Sequence, residues 1–176
     1  MKIKNLKKYK IISLIFFTII IICSSSYYFG YYKDSPEHAA NVFFRKIKNS
    51  VPWHRNVEEI YNMICYGKNN PNFIGAEEMM KSYYQYLILD KYKIKSKTKI
   101  DEELYEFTTF TEPAIIDIGR KENNITNFFM IKINGEWKFA LGVNLLPASK
   151  IQEHEYLQKR LIARQVDAER NNITLY

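Results

Sequence analysis

Acidic residues are missing from the first 33 positions, which hold six lysines (Lys2, Lys4, Lys7, Lys8, Lys10 and Lys33). The remaining 20 of the 26 basic residues face 19 acids, so most of the net charge of +7 belongs to the leader. A near-neutral domain lacks the basic face that nucleic-acid binding needs, and no nucleic-acid partner is expected. Cysteine is scarce. Cys23 and Cys65 stand far apart, which excludes a disulfide scaffold, and no Cys/His spacing suggests zinc. No metal and no cofactor are expected. Catalytic motifs, internal repeats and low-complexity segments are also missing. With 47% hydrophobic and 26% charged residues, a disordered chain is excluded as well.

What is present begins with one long uncharged run, IISLIFFTIIIICSSSYYFGYY, over residues 11–32. At ~1.5 Å per residue a helix of this length covers roughly the ~30 Å hydrocarbon core of a bilayer. Five lysines precede the run and only Lys33 follows closely, which predicts a cytoplasmic N-terminus and an exported domain. Tyr27, Tyr28, Phe29, Tyr31 and Tyr32 fall where an interfacial aromatic belt would lie. Two other fates stay open. The strongly apolar part, residues 11–22, fits a signal-peptide core, with Ser24 and Ser26 suited to a cut before Tyr27. Cys23-Ser24 faintly resembles a lipoprotein attachment site, although Ile22 departs from that pattern. The uncleaved anchor is the leading reading, in a bacterial cytoplasmic (inner) membrane with a single pass. The chain then divides into a basic tail (1–10), the anchor (11–32), a domain (35–146) and a C-terminal helix with its tail (147–176).

Beyond the leader, Ser35-Pro36-Glu37 reads as a helix start, followed by an apolar face of Ala40, Phe43, Phe44, Ile47 and Val51 that Pro52 ends. A second helix starts at Asn56, with Glu59 in capping-box position, and closes at Gly67. A third is expected over about 76–89, with Met79, Met80, Tyr83, Tyr84, Leu87 and Ile88 on one side. The period then becomes two. Lysines at 91, 93, 95, 97 and 99 should share one strand face, with Tyr92, Ile94 and Ile100 on the other. Further strands are expected at 104–111, 114–118, 128–133 and 137–141, the last two flanking Asn134-Gly135, the strongest hairpin signal in the chain. A final helix, opened by Ser149 and Gln152, should run to about Glu169. It can pack on the domain, extend from it, or pair with a partner helix.

Helices followed by antiparallel strands predict an α+β fold, a curved sheet around a helical layer. This order resembles the nuclear-transport-factor-2-like superfamily, a cone-shaped fold shared with ketosteroid isomerases and polyketide cyclases. The carrying residues are AANVFFRKI, the Phe73-Ile74-Gly75 hook before AEEMMKSYYQYL, and NFFMIKINGEWKFALG. The resemblance covers Ser35 to about Gly142 and implies a concave pocket, not an enzyme. With an anchor before it, the domain also resembles the bitopic inner-membrane adaptor of type IV secretion systems.

Candidate chemistry is thin. Asp117, between Ile116 and Ile118, is a possible general base in a pocket, with Tyr61, Tyr83 or Tyr84 donating to an oxyanion. Strand alternation instead favours a solvated Asp117. Lys91, Lys93, Lys95, Lys97 and Lys99 form a candidate interaction surface for an acidic partner or anionic lipid, against the plainer expectation of a wet sheet face. His38, His54 and His154 are expected to be surface or structural, and Cys65 a small, partly buried hydrophobe. The function expected is a non-catalytic interaction or assembly protein of a bacterial envelope, part of a secretion or conjugation apparatus. Its partners would be the membrane, other envelope proteins or a second copy of itself. The alternatives are a ligand-binding or enzymatic pocket of the same fold, and an envelope immunity protein.

Overall fold

The computed structural model describes residues 2–65, 77–113 and 124–170. It is α+β, with an apolar N-terminal helix, further helices and a four-stranded antiparallel sheet in the order β1-β2-β3-β4. The first helix, α1 (Lys2–Tyr27), passes into a π-helical turn over Tyr28–Tyr32. Its apolar stretch from Ile12 to Tyr32 is long enough to cross a membrane and buries none of its most apolar window against the domain.

Helix α2 (Pro36–Asn49) starts as its sequence demands. The Ser35 hydroxyl accepts from the His38 N–H at 3.1 Å, Pro36 occupies the first turn and Glu37 faces the positive end. Ala40, Phe43, Phe44 and Ile47 are buried. Val51 lies past the helix end and is exposed, so it does not extend that apolar face. Helix α3 (Val57–Asn62) is capped by Asn56, whose side chain accepts from the Glu59 N–H. The Glu59 carboxylate reaches across to Lys46 on α2 at 2.5 Å. This helix stops five residues before the expected Gly67. Met63–Cys65 turns instead to run beside Phe139, with the Cys65 N–H donating to its carbonyl and the Phe139 N–H donating to Met63. Backbone pairing there competes successfully with one more helical turn.

Helix α4 (Glu77–Tyr86) also ends earlier than its apolar spacing suggests. The cause is Arg55, a buried guanidinium. Its Nη1 donates to the carbonyls of Tyr84 (2.5 Å), Gln85 (3.1 Å) and Leu87 (2.8 Å), and its Nη2 donates to Ile47 and Ser50. One side chain thus satisfies the orphan carbonyls at the ends of both α2 and α4.

The strands are β1 (Lys91–Asp101), β2 (Leu104–Glu112), β3 (Ile125–Ile133) and β4 (Glu136–Ala140). Asn134 (φ 51°) and Gly135 (φ 83°) make the β3–β4 turn, both with the positive φ that the Asn-Gly pair predicts. The strand expected at 114–118 lies outside the described residues. Register assigns the faces, because residues opposite one another in an antiparallel pair project to the same side. Tyr92, Phe107, Phe128, Met130 and Phe139 face inward; Leu104, Glu106, Phe129, Ile131 and Ala140 face outward. Helix α2 fills the inner side with rings. Phe43 stacks on Phe139 at 4.0 Å, Phe44 lies 5.1 Å from Tyr92 and 5.2 Å from Phe128, and Phe107 stacks on Phe128.

The C-terminal segment departs from its expectation. It forms two helices, α5 (Ala148–Glu153) and α6 (Glu155–Arg170), divided at His154, whose backbone is extended. Pro147 rather than Ser149 precedes the first of them, without a side-chain cap. The pair packs on the outer side of the sheet. Leu157 is fully buried, and Tyr156 and Arg160 both bond the outward-facing Glu106. The apolar outer row of Leu104, Phe129 and Ile131 is therefore sealed within the same core.

Candidate functional site

Of the residues expected around a pocket, Tyr61 lies on α3 and Tyr83 and Tyr84 on α4. Tyr84 is fully buried, edge-on to Phe43 at 5.8 Å and to Tyr83 at 5.1 Å, inside the ring cluster. Tyr61 is buried on α3 with the Lys81 ammonium 5.0 Å above its ring. Asp117 lies outside the described residues. Cys65 is buried and bonds the Leu145 carbonyl at 3.3 Å; burial pushes its thiol up to about 12, against the opposing pull of Lys138. Such a thiol is a packing group, not a nucleophile.

The lysine row is corrected by the register of β1. Lys93 lies opposite Phe110 and Ile94 opposite Thr109, but Ser96 lies opposite Thr108, so Lys95 is the extra residue of a β-bulge. One added residue reverses the side on which the following side chains emerge, as far as a second irregularity between Lys99 and Asp101. Lys91 and Lys93 consequently belong to the outer face, and the Lys95 ammonium stands 5.7 Å from the outward-facing Phe110 ring. Lys97 and Lys99 belong to the inner face, where Lys97 lies 5.2 Å over Tyr105 and pairs with Glu37. The five lysines therefore make two groups rather than one.

Two clusters that the sequence did not bring together stand at the same end of the sheet. The first is on the outer side, an open groove of about 470 Å³ whose lining includes Thr98, Ile100, Glu106, Glu153, His154 and Tyr156. His154 Nε2 lies 2.8 Å from Asp101 Oδ2, and the Lys150 ammonium lies 3.3 Å from both Asp101 and Glu153. Burial raises the Asp101 carboxyl, but the Glu103 N–H, His154 and Lys150 together hold it below the usual carboxylate range. Asp101, Glu153 and His154 bring their ligand atoms within 4.8 Å of one another, a spacing a divalent cation could use. The Lys150 ammonium already supplies positive charge to both carboxylates and occupies part of their acceptor capacity. Glu106 is likewise occupied, by the Tyr156 hydroxyl and by Arg160 at 2.5 Å, and burial with that bond pushes the Tyr156 phenol up. This arrangement clasps α5 and α6 to the β1–β2 turn.

The second cluster lies where α1 meets the domain. His38 packs edge-on against Tyr28 (5.8 Å) and Tyr32 (5.0 Å). Trp137 Nε1 donates to the Asp34 carbonyl at 2.7 Å, its ring meets Tyr105 at 5.6 Å, and Lys132 stands 5.7 Å over it. Nothing in the linear spacing of Asp34, Tyr105 and Trp137 announces this contact. Only the Asn134-Gly135 hairpin, which fixes Trp137 opposite Lys132, gives a local signal for part of it. At the far end of α2, Val51 and Trp53 stand exposed beside exposed Tyr86 and Ile88, on two segments that Arg55 and a Gln85–Pro52 hydrogen bond hold together. His54, in the same short 3-10 turn as Trp53, is exposed.

Comparison with protein-family models, with curated proteins and with solved structures finds no match to this chain.

Proposed function

We propose that this chain is a membrane-tethered, extracytoplasmic, non-catalytic interaction or assembly protein of a bacterial envelope, with a domain of the nuclear-transport-factor-2-like kind. The observation that carries the reading is the apolar helix from Ile12 to Tyr32, whose most apolar window has no burial in the protein itself. In water, a helix apolar on all sides has no means of covering its surface; a bilayer covers it. The five lysines before it, against Lys33 alone close after it, favour an inside N-terminus.

The order of α2–α4 followed by an antiparallel sheet supports the cone-like assignment. Filling of the inner face by Phe43, Phe44, Phe128 and Phe139 favours a scaffold over a pocket enzyme. The exposed side chains of Val51, Trp53, Tyr86 and Ile88 favour a role in contacts with other envelope proteins or with a second copy. A part in a secretion or conjugation apparatus is the specific form of this proposal.

The test is cross-linking of the full chain in intact membranes, followed by extraction in mild detergent and mass determination of the product. The expected result is a discrete species heavier than the 21.0 kDa chain, holding a stoichiometric envelope protein or a second copy. Recovery of the chain solely as an uncross-linked monomer contradicts the proposal. A stoichiometric toxin in the product would favour the immunity reading instead.

A further inference from the structure

The joint between α1 and the domain is built from specific contacts. The Lys33 N–H donates to the Tyr28 carbonyl at 2.8 Å, and both the backbone N–H and the hydroxyl of Ser35 donate to Tyr32. Beside it, the Trp137 indole bonds Asp34. Asp34 is two residues past the end of the apolar stretch, and two residues span at most about 7 Å. The headgroup layer of a leaflet is itself about 5–7 Å deep. Trp137 is therefore tied to a point at headgroup depth, whatever the tilt of the helix.

The surroundings of Trp137 suit that depth. Tyr105 and Trp137 are rings with a polar edge, the chemistry enriched at bilayer interfaces. Lys132 stands over Trp137 at 5.7 Å and Lys33 over Phe29 at 6.0 Å, each resting on a ring rather than on a carboxylate. Lys97 reaches the same rim because the bulge at Lys95 turns it to the inner face, over Tyr105. Three ammonium groups and two interfacial rings thus converge beside the end of the span. Of the nearby acids, Glu37 pairs with Lys97 and Glu136 with Lys138 at 2.6 Å, while Asp34, next to Lys33, is exposed.

We propose that this rim is a lipid-binding surface, on which Lys33, Lys97 and Lys132 bind phospholipid headgroup phosphates while Trp137 and Tyr105 enter the interface. The inference rests on the reading of residues 11–32 as a membrane span. It gives the tethered domain a fixed footing, hairpin end down. Trp53 is then a built-in control, because it lies beyond the other end of α2, a helix about 21 Å long.

The experiment uses the full chain in vesicles of phosphatidylcholine and phosphatidylglycerol carrying a nitroxide on a fraction of the choline headgroups. Trp53→Phe leaves Trp137 as the reporter, and Trp137→Phe leaves Trp53. The nitroxide should quench Trp137 severalfold more strongly than Trp53. Adding Lys97→Gln and Lys132→Gln to Trp53→Phe should lower the quenching towards its value in vesicles without phosphatidylglycerol. Absence of Trp137 quenching in the Trp53→Phe protein overturns the proposal, as does quenching that ignores both the lysines and the anionic lipid. Alkaline carbonate extraction of the same vesicles separates the two levels of failure. A chain that is stripped off fails as a membrane protein, and the rim fails with it. A chain that stays, with Trp137 unquenched, fails only at the rim.

Discussion

Arg55 is the residue on which the helical layer depends most visibly. It is buried, and it donates to five carbonyls and to the Ser50 hydroxyl from the ends of two helices. Removing it leaves several buried carbonyls without a donor, and each unsatisfied group costs about 1–3 kcal/mol. Arg55→Ala should therefore lower stability by about 3 kcal/mol or more, read from the midpoint of chemical denaturation at an unchanged m-value. Arg55→Lys should recover only part of the loss, because a single ammonium cannot reproduce the planar fork of donors. Sequence gave no sign of this role. Ser35 and Asn56 announce themselves because a cap bonds a neighbour two or three positions away. Arg55 bonds carbonyls about 30 positions along the chain, and local spacing carries no trace of that.

At the scale of elements, the hairpin and the apolar helix faces were legible, since periodicity and turn chemistry are local properties. The lysine alternation was legible as a strand but misleading as a face. A single-residue bulge leaves the alternating pattern intact while reversing the side it describes, and only the partner strand reveals it. The break at His154 was hidden for a related reason. The stretch around it holds neither glycine nor proline, and what stops the helix there is tertiary, the His154–Asp101–Lys150 clasp to the β1–β2 turn. That clasp carries a pH prediction. The folded Asp101 carboxyl titrates below its ordinary value of 3.8, so its contribution is complete above that value and is lost as pH falls through the lowered one. Asp101→Asn should destabilise the protein by about 1–3 kcal/mol at neutral pH. The difference between variant and parent should shrink as unfolding is measured at successively lower pH, below about 4. A difference that persists unchanged in acid would remove the charge-based account of the clasp.

For the whole molecule, the sheet is covered on both sides, by α2 with rings and by α5–α6 with Leu157 and the bonds to Glu106. Among the described residues, two surfaces with unusual chemistry then lie at opposite ends of α2. One is the cation-and-ring rim beside the apolar helix α1, and the other is the exposed apolar group of Val51, Trp53, Tyr86 and Ile88. On the proposed reading, the first end would turn to lipid and the second outward, an arrangement suited to holding a partner near the membrane. The α+β class and the long apolar helix were readable from composition and order. The joint between them was not, because it is made by a tryptophan 103 positions from its acceptor.

The central claim is tethering with the domain outside, and protease access tests it most directly. The chain, tagged after Tyr176, is treated with protease in right-side-out spheroplasts and in inside-out vesicles. The account predicts loss of the tag in spheroplasts and its protection in inside-out vesicles, with the protein remaining in the membrane fraction after alkaline extraction. Protection of the tag in intact spheroplasts, or recovery of the chain from the soluble cytoplasmic fraction, would contradict it.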